Sequence, residues 1–395
     1  MTIHKPASEE EAASLVADLA ASGTSVRIKG GGTRSSIGRA IETGDVLSSE
    51  AVSGISLYEP GEMVISAKAG MPLADIEKAL SDSAQMLTFE PMDHRALLGT
   101  EGEPTIGAVV AGNVSGPRRI FAGAARDSLI GVRFVNGKGE IVKNGGRVMK
   151  NVTGLDLVKL QAGAWGTLGF LTEVTFKLLP TPQESATLVF SGLDNEKGVQ
   201  ALCAAAGTPF EATGLAHLPA LITGSDAQTV MRVEGFAEQV DYRLNQLSDA
   251  LSEYGSPERL RGEDHKALWR NIRDATFIAE PRDRAVWRLS VRPTSAPNVV
   301  EVIKQAVDCR YFFDWCGGLI WISVPEDDDA GEETVRNAAN AADGYATLVR
   351  GSEPLRRRVS VFEPEPAPLD RLSAGIKQGF DPKNVFNPGL MAAAE

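Results

Sequence analysis

At 395 residues, with 43% apolar and 23% charged side chains, the chain has a soluble globular composition and is long enough for two or three domains, each with its own core. A net charge of −12, from 52 acidic against 40 basic residues, argues against nucleic acid or an anionic membrane as partner, so an anionic ligand needs local positive charge. The three cysteines, Cys203, Cys309 and Cys316, are too few and too irregularly spaced for a disulfide framework or an iron–sulfur cluster.

No stretch approaches the roughly 18 uninterrupted apolar residues of a membrane span. The acidic opening MTIHKPASEEEAAS lacks the basic and apolar runs of a signal peptide, so a reducing, cytoplasmic setting is expected.

Ser8-Glu9-Glu10-Glu11 predicts a capped helix start, with Ala12, Leu15, Val16 and Leu19 apolar and Gly23 as the stop. Val26-Arg27-Ile28-Lys29 alternates as a half-buried strand and runs into Gly30-Gly31-Gly32. Without Cβ atoms this turn allows close approach and can aim peptide N–H groups at phosphate oxygens, helped by the hydroxyls of Thr33, Ser35 and Ser36. Arg27, Lys29, Arg34 and Arg39 bring positive charge. The loop is neither a Walker A sequence nor G-x-G-x-x-G, and a glycine-rich surface turn has the same local signature.

Glu59-Pro60-Gly61-Glu62 reads as a turn, residues 63–69 as a strand, and Pro72 with Leu73, Ile76 and Leu80 as a helix. Between residues 89 and 131 small residues cluster around Ile106, Val109 and Val110; a long flexible loop is one reading, and burial of these apolar residues the other. Asn136-Gly137-Lys138-Gly139 between two apolar runs marks a hairpin. Residues 170–180 form a strand after a third glycine cluster, so three such clusters abut strands and one elongated ligand gripped at several points explains them together. Past Pro180-Thr181-Pro182 ordinary α/β alternation begins, with strands expected at 187–190, 286–291 and 318–324 and helices at 196–205 and 237–254, as a sheet carrying helices on one face. Asp327-Asp328-Asp329 reads as a solvated helix start rather than a metal site. Leu369, Leu372 and Ile376 mark a short helix before a rigid aromatic and proline-rich segment that is expected to dock.

As an ordered set, the Gly30–Gly32/Thr33 loop, Tyr58-Glu59-Pro60 with the strand to Ala69-Gly70, Thr105-Ile106-Gly107, Arg126-Asp127, Gly166-Thr167-Leu168-Gly169, Asp381-Pro382 and Asn387-Pro388-Gly389 carry a family pattern. Together they resemble the FAD-binding domain of the vanillyl-alcohol oxidase/PCMH flavoprotein superfamily. Within it, Phe89-Glu90-Pro91, Ser115-Gly116-Pro117-Arg118 and Val148-Met149-Lys150-Asn151-Val152-Thr153-Gly154 are similar to the FAD-binding E subunits of bacterial glycolate oxidases.

The resemblance implies an α+β chain. A PCMH-type FAD-binding domain of two α/β subdomains spans residues 1–182, a smaller α+β cap spans 183–368, and residues 369–395 return to the FAD domain. In that arrangement Gly30, Gly31, Gly32, Thr33 and Arg34 receive the pyrophosphate. Thr105, Ile106, Gly107, Gly112, Asn113 and Gly116 follow the ribityl chain and flavin, Gly166, Gly169, Phe170 and Leu171 lie near the adenine half, and Asn387 lies near the isoalloxazine. No histidine lies between His4 and His94, where some relatives attach FAD, so the cofactor is expected to be non-covalent. Trp165 and Leu155 depart from the glutamate and tyrosine common in relatives, and His217 and His265 lack metal-site spacing, so no metal is expected.

The implied activity is oxidation of glycolate, a small 2-hydroxy acid, to glyoxylate, beside a sister flavoprotein subunit and an iron–sulfur subunit, with at most peripheral membrane association through those partners. Arg288, beside Trp287 on an expected cap strand, is the candidate carboxylate clamp, and an exposed strand arginine is the plainer reading. His94 reads more readily as a surface or loop-packing residue than as a base, and no base is identified. Two other readings stay open: a non-catalytic electron-transfer and assembly subunit, and a free-standing D-lactate or other 2-hydroxy-acid dehydrogenase.

Overall fold

The computed structural model describes residues 2–146 and 154–392. The segment Val148-Met149-Lys150-Asn151-Val152-Thr153 lies outside the described residues.

The first helix, Glu9–Ser22, begins where Ser8 Oγ accepts the Glu11 N–H at 3.1 Å and ends at left-handed Gly23, as its sequence predicts. Glu9 also ties this helix to the neighbouring sheet, accepting from Thr172 Oγ1 at 2.6 Å and Arg133 Nε at 3.1 Å. The strand Val26–Lys29 joins Asp45–Ser48 and Ile3–His4 in a small sheet whose strands all run parallel. An antiparallel five-stranded sheet follows, in the order Ile55–Glu59, Val64–Lys68, Phe170–Lys177, Leu129–Val135, Ile141–Gly145. Its last two strands are the hairpin signalled by Asn136-Gly137.

The glycine-rich stretch after Phe89 is not a flexible loop. It folds into the short helices Arg95–Leu98, Ile106–Ala111, Arg119–Ala122 and Ala125–Ser128, and Ile106, Val109 and Val110 are buried.

The third sheet has eight strands, from Glu258–Leu260 at one edge to Tyr345–Arg350 at the other, every neighbour antiparallel. Alternate residues divide cleanly between its faces, as the two-residue strand period requires. Leu188, Met231, Trp287, Phe313, Ile320 and Ile322 pack under the helices Asn195–Ala206, Ala237–Ala250, Ala296–Ala306 and Glu332–Asn340. Their neighbours Val189, Val230, Val286, Phe312 and Trp321 share a core with Phe89, Phe176 and Leu97. Because the sheet is covered on both sides, its strands read as unbroken apolar runs such as Leu319–Pro325.

The seam between this sheet and the glycine-rich segments is held by charge as well as by packing. Glu90 and Arg118 meet Arg232 and Glu234 of the strand Gln228–Gly235: Arg232 forks onto Glu90 at 2.9 and 2.7 Å, and Arg118 reaches Glu234 at 2.7 Å. Burial opposes the charge on Arg232, yet the facing Glu90 and Glu234 carboxylates outweigh it and hold the guanidinium protonated. Arg350 adds a further tie by donating to Leu97 O at 2.9 Å.

At the other end, the helix Ala367–Phe380 is longer than its three apolar residues predict and none of it is buried; Leu369 and Leu372 remain 52% and 60% exposed. The following turn is what docks. Asp381 accepts the N–H groups of Val385 and Phe386 at 2.9 and 2.8 Å, and Val26 N–H donates to Val385 O while Asn387 N–H donates to Val26 O. The chain thereby returns to the edge of the first sheet beside Val26–Lys29.

Candidate functional site

Where the strand Val26–Lys29 gives way to the glycine loop, it opens a cleft. Of the residues expected at a ligand, Gly30, Gly32, Thr33, Arg34, Gly107, Gly166, Gly169, Phe170, Leu171 and Asn387 line it. Segments about 350 residues apart in sequence are therefore brought to one surface.

The loop cannot be made from other residues. A Cβ on Gly31 would stand 1.7 Å from Glu103 O, and one on Gly30 would stand 2.3 Å from Thr105 Oγ1. Gly32 adopts φ +83. Among the described residues, the N–H groups of Gly31, Gly32, Thr33 and Arg34 donate no hydrogen bond. Two buried side-chain donors are also unpartnered, Thr105 Oγ1 and Arg34 Nη1. Donors gathered in this way around one loop suit an anionic acceptor.

Charge points the same way. Arg27, Lys29 and Arg34 all face the cleft, and none forms an ion pair among the described residues. Arg34 is fixed by donating from Nε to His94 Nδ1 and from Nη2 to Met92 O, each at 3.1 Å. Burial lowers its pKa to about 10, which leaves it a cation at neutral pH. His94 is buried, and desolvation together with the Arg34 charge pushes its pKa well below the usual value. It is a neutral acceptor that orients an arginine.

Asn387 has both ends of its amide occupied by the chain. Oδ1 accepts from Ile28 N–H and Nδ2 donates to Trp165 O, each at 2.8 Å. It pins the opening strand to the Trp165 turn, where Trp165 takes φ 51 and packs against Phe362 at 5.6 Å.

The remaining expected residues lie outside the cleft wall. Thr105 stands behind Gly30 and Ile106 donates its N–H to Met71 O, both as buried support, and the Cα of Gly31 faces Glu103. Gly112 backs onto the Trp165 ring, and Asn113 accepts from Arg126 N–H at 3.1 Å. Gly116 lies at the seam, where its carbonyl accepts from Trp315 Nε1 at 3.0 Å. Arg288 is there too, 4.9 Å over the Trp315 ring, while Arg119 lies 4.6 Å from the same ring. Burial lowers the Arg288 pKa to about 10, and among the described residues neither arginine forms an ion pair. Arg288 is thus a half-buried cation on an aromatic platform rather than an exposed strand arginine.

Sequence reasoning passed over Ser49, Ala69 and Leu390 as cleft residues. The small residues Ala69-Gly70 at a strand end carried a signal for close approach; Leu390 carried none.

The other histidines are core residues. His217 is fully buried and bonds Thr229 Oγ1 at 2.9 Å, and His265 bonds Ser185 and Thr187 at 2.7 and 2.8 Å. Burial lowers the pKa of each to about 4. As pH falls the unfolded chain, with histidine near 6.5, takes up protons before the folded one does. The stability gained by keeping His217 neutral is complete above about pH 6.5 and lost toward pH 4, at about 1.4 kcal/mol per pH unit. Denaturant unfolding between pH 7 and 5 is expected to show this slope added to the like contributions of His265 and His94, and His217→Gln is expected to reduce the total by one proton; an unchanged slope in that variant contradicts the assignment.

Comparison with known proteins agrees with this geometry. Residues 2–145 match a family model described as an FAD binding domain. The glycolate oxidase subunit GlcE of Escherichia coli K12 is 32% identical over 370 residues, covering 94% of this chain and 93% of that protein. The chain belongs to the GlcE family of FAD-linked oxidoreductases. A shorter match, 34% identical over 136 residues, covers 34% of the chain and 27% of the glycolate oxidase subunit GlcD of Bacillus subtilis 168. The fold is that of 4-ethylphenol oxidase from Gulosibacter chungangensis, with a TM-score of 0.74 at 16% identity over 99% of this chain and 89% of that one.

Membership of this family makes FAD the cofactor, and the residues present fit it: unpartnered N–H donors, free cations and a loop too tight for side chains together suit a pyrophosphate. Among the described residues no helix is long and apolar enough to cross a membrane, and no cluster of three metal-ligating side chains occurs.

Proposed function

We propose that this chain is the FAD-binding subunit of a glycolate oxidase, taking part in the oxidation of glycolate to glyoxylate. The observation that carries the reading is the similarity to GlcE along more than nine-tenths of both chains. Bound FAD supplies the electron acceptor for a carbon–hydrogen bond of the substrate.

The chain's own residues bind and orient. Gly30, Gly31, Gly32 and Thr33 present N–H groups to the pyrophosphate, with Arg34, Arg27 and Lys29 balancing its charge. Thr105, Ile106 and Gly107, continued by Gly112, Asn113 and Gly116, back the cofactor, and Gly166, Gly169, Phe170, Leu171 and Asn387 close the far wall. The FAD is held non-covalently, residues 1–182 and 369–395 form the FAD-binding part, and residues 183–368 form the cap. Arg288, which shares the Trp315 ring with Arg119, clamps the substrate carboxylate at the seam between the two. The partners are a sister flavoprotein subunit and an iron–sulfur subunit, in the cytoplasm or peripherally at the membrane through them.

One observation favours a second reading, in which this subunit relays electrons and the sister subunit carries out the chemistry. His94 is committed to Arg34, His217 and His265 are neutral core residues, and His4 pairs with Asp45 at the first sheet, so no histidine is free to serve as a base near Arg288.

Anaerobic addition of glycolate to the purified, FAD-loaded chain separates the two. Bleaching of the visible flavin band, abolished by Arg288→Ala, supports direct oxidation. Bleaching only in the presence of the sister subunit supports the relay, and no bleaching in either case overturns the glycolate assignment.

A further inference from the structure

Two of the three cysteines meet in space although 113 residues separate them. Cys203, on the helix Asn195–Ala206, has its Sγ 3.7 Å from Sγ of Cys316, which sits in the tight turn after the strand Arg310–Asp314. Both are free thiols. Cys203 is partly exposed, whereas Cys316 is 8% exposed. One member of the pair can thus be reached from solvent and the other waits behind it.

We propose that Cys203 and Cys316 form a reversible intramolecular disulfide on exposure to hydroperoxide, with Cys203 as the attacking thiolate and Cys316 as the resolving thiol. In the first step the Cys203 thiolate attacks one peroxide oxygen, the O–O bond breaks, water leaves after protonation, and Cys203 carries a sulfenic acid. Cys316 sulfur then attacks Cys203 sulfur, the S–O bond breaks, and a second water leaves. Two thiols and one hydrogen peroxide become one disulfide and two waters, the peroxide being reduced and the sulfurs oxidised.

The surroundings divide these roles. The Cys316 thiol donates toward Cys203 sulfur, which stabilises a thiolate there and brings the Cys203 pKa down to about 7. The same contact, together with burial, raises that of Cys316 and keeps it a thiol. The third cysteine, Cys309, is buried, and desolvation lifts its pKa to about 11, so it serves as an internal control. Closing the bond needs the sulfurs to approach from 3.7 Å to about 2.05 Å. The turn that must yield carries Trp315 at φ 50 and Cys316 at φ 61. Trp315 is the residue that receives Arg119 and Arg288 on its ring and donates to Gly116 O, so the disulfide bears directly on the seam.

The test treats the full-length, FAD-loaded protein with hydrogen peroxide and maps it by mass spectrometry. Expected are a mass loss of two hydrogens, a peptide linking Cys203 to Cys316, an unmodified Cys309, and full reversal by dithiothreitol. In Cys316→Ser, dimedone is expected to trap the sulfenic acid on Cys203. Should that variant fail to fold, the wild-type peptide map decides alone. Two free thiols surviving at 203 and 316, or oxidation falling first on Cys309, overturns the proposal.

Discussion

Gly31→Ala is expected to yield a protein that purifies without its flavin. The added Cβ would lie 1.7 Å from Glu103 O and 2.8 Å from its carbonyl carbon. Both are backbone atoms, so no side chain can swing aside, and the loop must retreat. Its retreat moves the N–H groups of Gly32 and Thr33, which can meet an anion only from their present positions. Overpacking of this kind costs about 2–3 kcal/mol, which corresponds to a roughly 100-fold loss of affinity if it falls wholly on the bound state. Flavin content per chain, read from the visible spectrum and from FAD titration of the apoprotein, measures it. Gly44→Ala is the matched control, because a Cβ there meets nothing within 4 Å. A Gly31→Ala protein that is as yellow as the wild type removes the loop from the cofactor site.

Arg232→Met is expected to cost about 3–5 kcal/mol of stability, the range for removing one partner of a buried ion pair. Arg232 is 4% exposed, stacks 4.6 Å over Trp269, and satisfies both oxygens of Glu90. Methionine retains most of the packing but leaves Glu90 facing Glu234 with Arg118 alone between them. Burial already works against the Glu90 carboxylate, and only Arg232 and Arg118 hold its pKa below the ordinary value. Glu90 also holds a left-handed backbone at φ 46, a conformation that depends on its surroundings for support. Adding Glu90→Gln is expected to recover part of the loss, since the unpaired charge is then gone. Thermal and denaturant unfolding at low and high salt provide the check. The loss should persist at high salt, because a buried pair is poorly screened; a loss that disappears with salt places the pair at the surface.

These two predictions rest on features that differ in how far the sequence shows them. The glycine loop is legible because three consecutive residues without side chains leave few alternatives to close approach, and the alternating residues before it declare the strand. The capped helix Glu9–Ser22 and the hairpin at Asn136-Gly137 are equally local and equally readable. The ion cluster is not, because Glu90 and Arg232 are 142 residues apart and a charged residue on its own reads as solvated surface. The Asn387 clamp spans 222 residues to Trp165, and only its turn chemistry is visible locally. The helices between Phe89 and Leu129 are too short to show a helical period, so the sequence signals burial of Ile106, Val109 and Val110 there but not the helices themselves. The helix Ala367–Phe380 errs in the opposite sense: its apolar spacing is real, but Leu369 and Leu372 face outward.

The return of residues 385–390 to the opening strand bears on biosynthesis. Ile28 and Asn387 build the same wall, so a chain still emerging from the ribosome has its glycine turn early and lacks the opposite side until Asn387 has been made. The complete cleft thereby exists only once residues 385–390 have joined the opening strand, and a nascent chain cut short upstream of Asp381 leaves it half built.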